Sequence, residues 1–289
     1  MSIFKDTVII IPTFKSDKII GECINKLDKN FKILIIENSS RKVFKKKIEK
    51  QFINTKVILV GYNSGWSNAA NIGIKLSKEK FILFLNPDII ITKKSIRTLS
   101  KTLSNNPNIG LVAPKTFNVD GNISKQYLFY KNFNKEKELK ELKRLAGHVM
   151  FVKRAILSKV GLFDQNIFLD FEDIDFCYRI RKLNFKVILN LKATCTHLEN
   201  KSHDPIFDYK VKKLRMWHYG WSYFYFHKKH YNFENAVISI RNIFFKNFIK
   251  LILNLLIFNI KKFSIYRNFF LGYFNCLLGN KSYYRIKFN

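Results

Sequence analysis

Phe81-Ile-Leu-Phe-Leu-Asn-Pro-Asp88 is five apolar residues closed by a turn and an acid. A run this short and this apolar reads as a strand buried on both faces, because a helix needs a longer periodic segment. The same pattern recurs upstream. Thr7–Ile11 is a β-branched run stopped by Pro12, Lys32–Ile36 a second strand, and Val57–Val60 a third, closed by Gly61. Between them Ser16–Leu27, Arg41–Phe52 and Trp66–Leu76 carry helical spacing. Thr92–Leu103 follows as a capped helix and Ile109–Ala113 as a fifth strand. Short apolar strands alternating with helices define an α/β fold with a mostly parallel sheet and helices on both faces.

In such sheets ligands bind beyond the carboxyl ends of the strands. Those positions hold Pro12-Thr13, Glu37-Asn38-Ser39-Ser40, Tyr62-Asn63-Ser64-Gly65 and Asn86-Pro87-Asp88. Asn63, Gly65, Asn68 and Asn71 make a small-residue loop entering a helix, whose N-terminus favours anions and whose glycine admits a close ligand. The same residues also suit a plain strand–helix turn. Asp88, set behind Pro87, is placed to hold Mg²⁺ or Mn²⁺ against a diphosphate. Asn-Pro-Asp is equally good turn chemistry.

Downstream, Phe117–Tyr130 reads as a hairpin around Asp120-Gly121 and Lys131–Arg144 as a mobile, charge-dense loop. Gly147–Val152 reads as a strand. Phe168-Leu-Asp-Phe-Glu-Asp-Ile-Asp-Phe-Cys-Tyr-Arg179 puts four acids into an apolar setting and opens a helix to about Leu183. Glu172 and Asp175 share a helix face, and Arg179 is placed to pair with Asp175, so Asp173 points elsewhere. Acids clustered at a helix start also serve the macrodipole. Lys186–Leu189 and Ala193–Thr196 read as two short strands ending at His197.

The chain has 52 Lys+Arg against 21 Asp+Glu, a formal charge of +31, which points to nucleic acid or an anionic membrane as partner. Zinc-finger spacing and RNP-like aromatic motifs are missing, so no nucleic acid is expected. The four cysteines (Cys23, Cys177, Cys195, Cys276) form no CxxC pair and fit a reducing compartment. The N-terminal residues lack an apolar signal core. From Phe207 the pattern is helical, basic and aromatic. In Asn242–Ile260, Lys246, Asn247, Lys250 and Asn254 fall on one helical stripe, and charges in mid-segment argue against a spanning helix. The expected role is an amphipathic helix in the membrane interface, against packing on the α/β domain with lysines in water.

Taken together, Pro12-Thr-Phe, Ile35-Ile-Glu-Asn-Ser-Ser40, Asn63-Ser-Gly-Trp-Ser-Asn-Ala-Ala-Asn-Ile-Gly-Ile74, Leu85-Asn-Pro-Asp88, Gly161-Leu-Phe-Asp164 and Phe171-Glu-Asp-Ile-Asp-Phe-Cys-Tyr-Arg179 resemble glycosyltransferase family 2, in its bacterial rhamnosyltransferase-like branch. The resemblance covers about Thr7 to His230 and rests on the order of the motifs. It implies a GT-A (Rossmann-like) catalytic domain over 1–206, with a nucleotide-sugar half to 115 and an acceptor half from 116. A helical, basic-aromatic region would follow over 207–289.

The resemblance further implies an inverting hexosyl transfer from a nucleoside-diphosphate sugar, with a divalent metal, to a glycan or lipid-linked acceptor in cell-surface polysaccharide synthesis. Pro12, Thr13, Glu37, Asn38, Asn63, Gly65, Asn71, Asn86 and Asp88 would face the donor. Glu37 stands where the family more usually has aspartate, and Asn86 where many members have the first acid of Asp-x-Asp. Asp173 would be the general base, Glu172 would position the acceptor, and His148 would border the acceptor or sugar. Asp88 and His197 would bind the metal, although His197 also reads as a surface histidine. The enzyme would sit on the cytoplasmic face of the cell membrane. A catalytically impaired partner subunit and a nucleic-acid-binding α/β protein are the competing readings.

Overall fold

The computed structural model describes residues 3–124, 138–198 and 205–285. Strands β1 (Thr7–Thr13), β2 (Lys32–Glu37), β3 (Thr55–Leu59) and β4 (Phe81–Leu85) run parallel in the order β3-β2-β1-β4. Their period-2 alternation feeds two cores. Ile9 and Ile11 pack on one face with α2 (Ile20–Asn25), α3 (Lys42–Gln51) and α5 (Lys93–Asn105), while Val8 and Ile10 pack on the other with α4 (Trp66–Lys75). A four-residue helix, α1 (Ile3–Asp6), precedes β1. α4 approaches β1 so closely that a Cβ on Gly73 would meet the Ile10 side chain.

Beyond β4 the sheet changes character. The expectation of a mostly parallel sheet holds only for its N-terminal half. β8 (Val149–Lys153) lies antiparallel between β4 and β6 (Ile109–Phe117), and β9 (Lys186–His197) runs parallel to β6. β5 (Ile89–Ile91) and β7 (Leu139–Glu141) add antiparallel to β9. Helices α6 (Arg154–Val160) and α7 (Glu172–Lys182) cover this half.

Several boundaries differ from the sequence expectations. β1 runs on to Thr13, because Pro12 lies past the last β1–β4 pair, Ile10 with Phe84, and an open strand edge tolerates proline. The helix expected from Ser16 begins only at Ile20, the first turn being irregular. The two strands expected over Lys186–Thr196 are one. The Asn190 carboxamide oxygen accepts from the N–H groups of Lys192 and Ala193, absorbing an irregularity in the β6–β9 register without ending the strand. Residues 139–141, expected in a mobile loop, pair with β9. Of the expected hairpin the described part is a turn at Gly121 (φ 76°) closed by the Phe117–Ile123 bridge; the rest of it, and residues 131–137, lie outside the described residues.

The chain forms two compact units: Met1–Phe163 with Asp173–His203, and Asp164–Glu172 with Asp204–Asn289. The second is built on α8 (Asp208–His230), α9 (Phe233–Leu256) and α10 (Ile260–Leu277), after a 3-10 turn at Pro205–Phe207. Trp217, Trp221, Phe224 and Phe269 form its core. Asp164–Glu172 belongs here because Asp164 accepts from Tyr225 Oη (2.9 Å) and Lys229 Nζ (2.8 Å), and Leu169 O accepts from Ser222 Oγ. α8 and α10 cross backbone to backbone at Gly220 and Gly272, where an added Cβ would collide with carbonyls of the other helix. No described helix is long and apolar enough to cross a membrane.

His218, fully buried, donates through Nε2–H to Tyr284 O (2.9 Å), and its Nδ1 lies 3.1 Å from Ser282 Oγ. Burial pushes its pKa down to about 3, so the unfolded chain takes up the proton first as pH falls. Stability therefore rises with pH between about 3 and the ordinary histidine value of 6.5, and is lost on acidification through that window. We expect the denaturant midpoint to fall from pH 7 to pH 4, and to fall less steeply in His218→Gln. An equal slope in that variant would show that His218 does not carry the effect.

Candidate active site

The carboxyl ends of β1, β2, β3 and β4 and the C-terminal end of β9 gather the polar residues of the first unit. Glu37 ends β2 fully buried, and four groups hold its carboxylate. Thr13 Oγ1 donates to Oε2 (2.7 Å). Ser39 Oγ (2.6 Å), Arg41 Nη2 (3.2 Å) and the Lys15 N–H (3.3 Å) donate to Oε1. An ionised carboxylate at zero exposure requires such donors. Glu37 thus ties the loop after β1 to the loop after β2. Asn38 extends the tie: its Oδ1 accepts from the N–H (3.1 Å) and hydroxyl (2.6 Å) of Ser64, in the loop after β3. Next to it, Asn63 Oδ1 accepts from the Gly65 N–H (3.3 Å).

Gly65 precedes α4 with φ 84° and ψ 170°. That region is open only to glycine, which sets the angle at which α4 presents its N-terminus. Asn71, one turn inside α4, was expected at the donor. Instead its carboxamide is locked to the backbone of Phe163, accepting from the N–H (3.0 Å) and donating to the carbonyl (2.9 Å). Its side chain is engaged in joining α4 to the segment after α6.

Asn86 and Asp88 stand past β4. Asn86 Oδ1 accepts from Trp66 Nε1 (3.2 Å), and its N–H donates to His148 O (2.9 Å). Asp88 is 3% exposed, and its Oδ1 makes no hydrogen bond among the described residues. Its Oδ2 lies 3.3 Å from His197 Nε2. The two residues are 109 positions apart, and the β5–β9 ladder joins them: Ile89 pairs with His197, and the Leu198 N–H donates to Asp88 O (2.9 Å). His148, expected at the acceptor, is buried behind His197. The two rings stack 5.1 Å apart at 13°, and His148 Nε2 lies 2.7 Å from Thr116 Oγ1. Burial first, and repulsion from His197 second, push the His148 pKa down to about 3, against the pull of Asp88. A neutral ring therefore backs His197 at neutral pH. Thr116, the third member of this stack, carried no motif in the sequence.

Asp88 and His197 supply one carboxylate and one imidazole, and no group of three or more metal-binding side chains occurs among the described residues. An oxygen and a nitrogen ligand, one of them a buried oxygen without a hydrogen bond, fit a divalent cation that takes its remaining ligands from elsewhere.

α7 carries the acidic run. Asp175 is fully buried and receives Arg179 Nε at 2.8 Å, and Arg179 Nη1 donates to Val160 O (2.7 Å), so this pair fastens α7 to α6. Asp173 points away from it. Its Oδ2 accepts from the Gly147 N–H (2.8 Å) and its Oδ1 from the Ile174 N–H (2.8 Å). The carboxylate is thereby oriented against the segment that carries His148. Asp170 pairs with Arg215 at 3.2 Å in the second unit, where Glu172 adds to the negative field on that guanidinium.

An acid, an adjoining histidine and a helix start gathered beyond the strand ends are the arrangement in which α/β sheets place their ligand sites. Residues 8–161, more than half the chain, match the family model described as glycosyl transferase family 2, and the chain belongs to that family. Among curated relatives, the low-salt glycan biosynthesis hexosyltransferase Agl10 of Haloferax volcanii is 26% identical over 63% of this chain and 64% of that protein. The dTDP-rhamnosyl transferase RfbF of Shigella flexneri is 26% identical over 57% and 58%. The chain thus spans less than two thirds of the curated relatives it matches.

Two solved structures share the fold. The mannosyltransferase PcManGT of Pyrobaculum calidifontis, in complex with GDP-Man and Mn²⁺, has a TM-score of 0.59 at 12% identity, covering 96% of this chain and 88% of that one. TarS 1-349 of S. aureus, in complex with UDP-GlcNAc, has a TM-score of 0.56 at 16% identity, covering 97% and 93%.

The Asn71 lock separates a structural from a ligand-binding role. Asn71→Ala leaves a buried N–H and C=O of Phe163 unpaired, a loss of about 1–3 kcal/mol. We expect a lower melting temperature and donor affinity changed less than about threefold. Weakened donor binding at unchanged melting temperature would make Asn71 a ligand instead.

Proposed function

We propose that this protein is an inverting, metal-dependent glycosyltransferase that moves a sugar from a nucleoside diphosphate to a hydroxyl of a glycan or lipid-linked acceptor. The observation that carries the reading is the convergence of Asp88 and His197, with an unbonded buried oxygen, beside the ends of the parallel strands. The names of the relatives support it, and RfbF makes dTDP-rhamnose the first donor to test. Cell-surface polysaccharide synthesis is the corresponding setting.

Asp88 and His197 would hold the metal, which supplies positive charge to the departing diphosphate. Gly65 and the start of α4 offer backbone N–H groups to the same anion. Thr13, Glu37, Asn38 and Asn63 hold the loops that border the nucleoside, and Pro12 and Asn86 line them. Asp173 takes the proton of the acceptor hydroxyl as its oxygen bonds to the anomeric carbon and the bond to the diphosphate breaks. Glu172, next in the chain, positions the acceptor. His148 holds the His197 ring in place.

Asp88 and His197 would leave most of a divalent cation's ligands to other oxygens, which a diphosphate would supply. Mn²⁺ alone should bind weakly, and a nucleoside diphosphate should tighten it at least tenfold in calorimetric titration, an effect lost in Asp88→Ala. Tight Mn²⁺ binding without nucleotide, or synergy kept in Asp88→Ala, removes Asp88 from the site. For the chemical step, Asp173→Asn should lower transfer by about 10²–10⁴ while donor binding is kept. Full activity in that variant refutes the base assignment. A thermal-shift panel of nucleotide sugars with Mn²⁺ identifies the donor, since ligand binding to the folded state stabilises it.

A further inference from the structure

α9 is turned inside out for a helix in water. Phe245, Phe248, Ile249, Ile252, Leu253 and Leu256 fall within one side of the helical wheel, and all are exposed. The opposite side is the buried one, and it carries Asn247 and Asn254 along with Ala236 and Ile240. These asparagines bury at 8% and 9% exposure by returning their carboxamide N–H to the helix's own carbonyls, Ile243 O (2.9 Å) and Lys250 O (2.7 Å). The polar stripe expected to face solvent or headgroups is thus partly internal. The outward face is the apolar one.

The tip between α9 and α10 goes against the aqueous rules twice more. α9 ends in a Schellman motif: the Phe258 N–H donates to Leu255 O (3.0 Å) and the Asn259 N–H to Asn254 O (2.9 Å). The left-handed residue this motif needs is Phe258, at φ 55°. α10 ends in the same motif, and there Gly279 occupies the position at φ 79°. A bulky side chain at positive φ is unfavourable, and Phe258 gains no burial in return, being 84% exposed. Its neighbours Leu256, Ile257 and Ile260 are 66%, 67% and 62% exposed. An apolar projection of this kind calls for a covering partner.

Charge selects the partner. From Phe233 to Arg285 the chain carries eight Lys and Arg and one acid, Glu234. Lys261 and Lys262 directly follow the tip, in the first turn of α10, where the macrodipole disfavours cations. Two copies meeting tip to tip would oppose these charges, whereas an anionic bilayer compensates them while its acyl region takes the apolar residues. We propose that the α9–α10 tip is a bilayer-insertion element. Leu256, Ile257, Phe258 and Ile260 enter an anionic membrane, Lys261 and Lys262 meet the headgroup phosphates, and the outward face of α9 lies along the interface. The docking holds whichever sugar is transferred.

The full chain should sediment with vesicles of phosphatidylcholine and phosphatidylglycerol, and at least tenfold less with phosphatidylcholine alone. Phe258→Gly separates insertion from a structural role, because it relieves the left-handed strain. Vesicle affinity should fall about tenfold or more while the melting temperature stays the same or rises. Lys261→Glu with Lys262→Glu should abolish the preference for the anionic lipid. Hydrogen exchange of residues 252–262 in the unaltered protein should slow on adding vesicles. Absence of vesicle binding at micromolar protein overturns the proposal. So does affinity unchanged in Phe258→Gly, or a concentration-dependent dimer that Phe258→Gly dissociates and vesicles do not.

Discussion

The antiparallel pairing of β5 with β9 is the constraint on which the site depends. β5 is three residues long and follows Asp88 directly, so wherever Ile89 is anchored, Asp88 is anchored too. Pairing Ile89 with His197 sets a carboxylate from the loop after β4 beside an imidazole from the end of the last strand. Ile89 and Ile91 are nearly inaccessible, so the ladder that positions Asp88 beside His197 is itself fastened by apolar burial. Thr116 and His148 then support the histidine from behind, a buried neutral ring stacked on a partly open one.

Two buried carboxylates of the first unit, Glu37 and Asp175, are held by partners. Glu37 is fully buried and holds four donors from the end of β1 and the loops after β1 and β2, and Asn38 adds the loop after β3 through Ser64, so three loops share a geometry that none could keep alone. Asp175 is spent on Arg179, and through it on Val160. Asp88 is the contrast: buried, it keeps an oxygen without a hydrogen bond among the described residues.

The second unit reverses the usual sorting on one helix. Its interior is aromatic where α8 meets α10, with Gly220 and Gly272 bringing the backbones together. α9 instead buries asparagines that answer their own backbone and turns aliphatic and aromatic residues outward. A carboxamide that bonds its own helix needs no partner across the interface, which leaves the other face free to be selected for a different environment.

The parallel strands β1 to β4 were legible in the sequence because burial on both faces leaves uninterrupted apolar runs, and Asp88 because it closes one. The pairing of Asp175 with Arg179 was legible from helical spacing alone. Three things were decided only by tertiary structure. Asn71 read as a ligand because its loop is polar, yet what it meets is a backbone 92 positions away. His148 read as bordering the acceptor or sugar, but the β4–β8 pairing and the ring stack put it, buried, behind His197. The stripe of Lys246, Asn247, Lys250 and Asn254 was visible as a stripe, but periodicity is silent about which side a helix buries. A sequence records which residues share a face. The partners that cover that face come from distant segments, and only the fold brings them there.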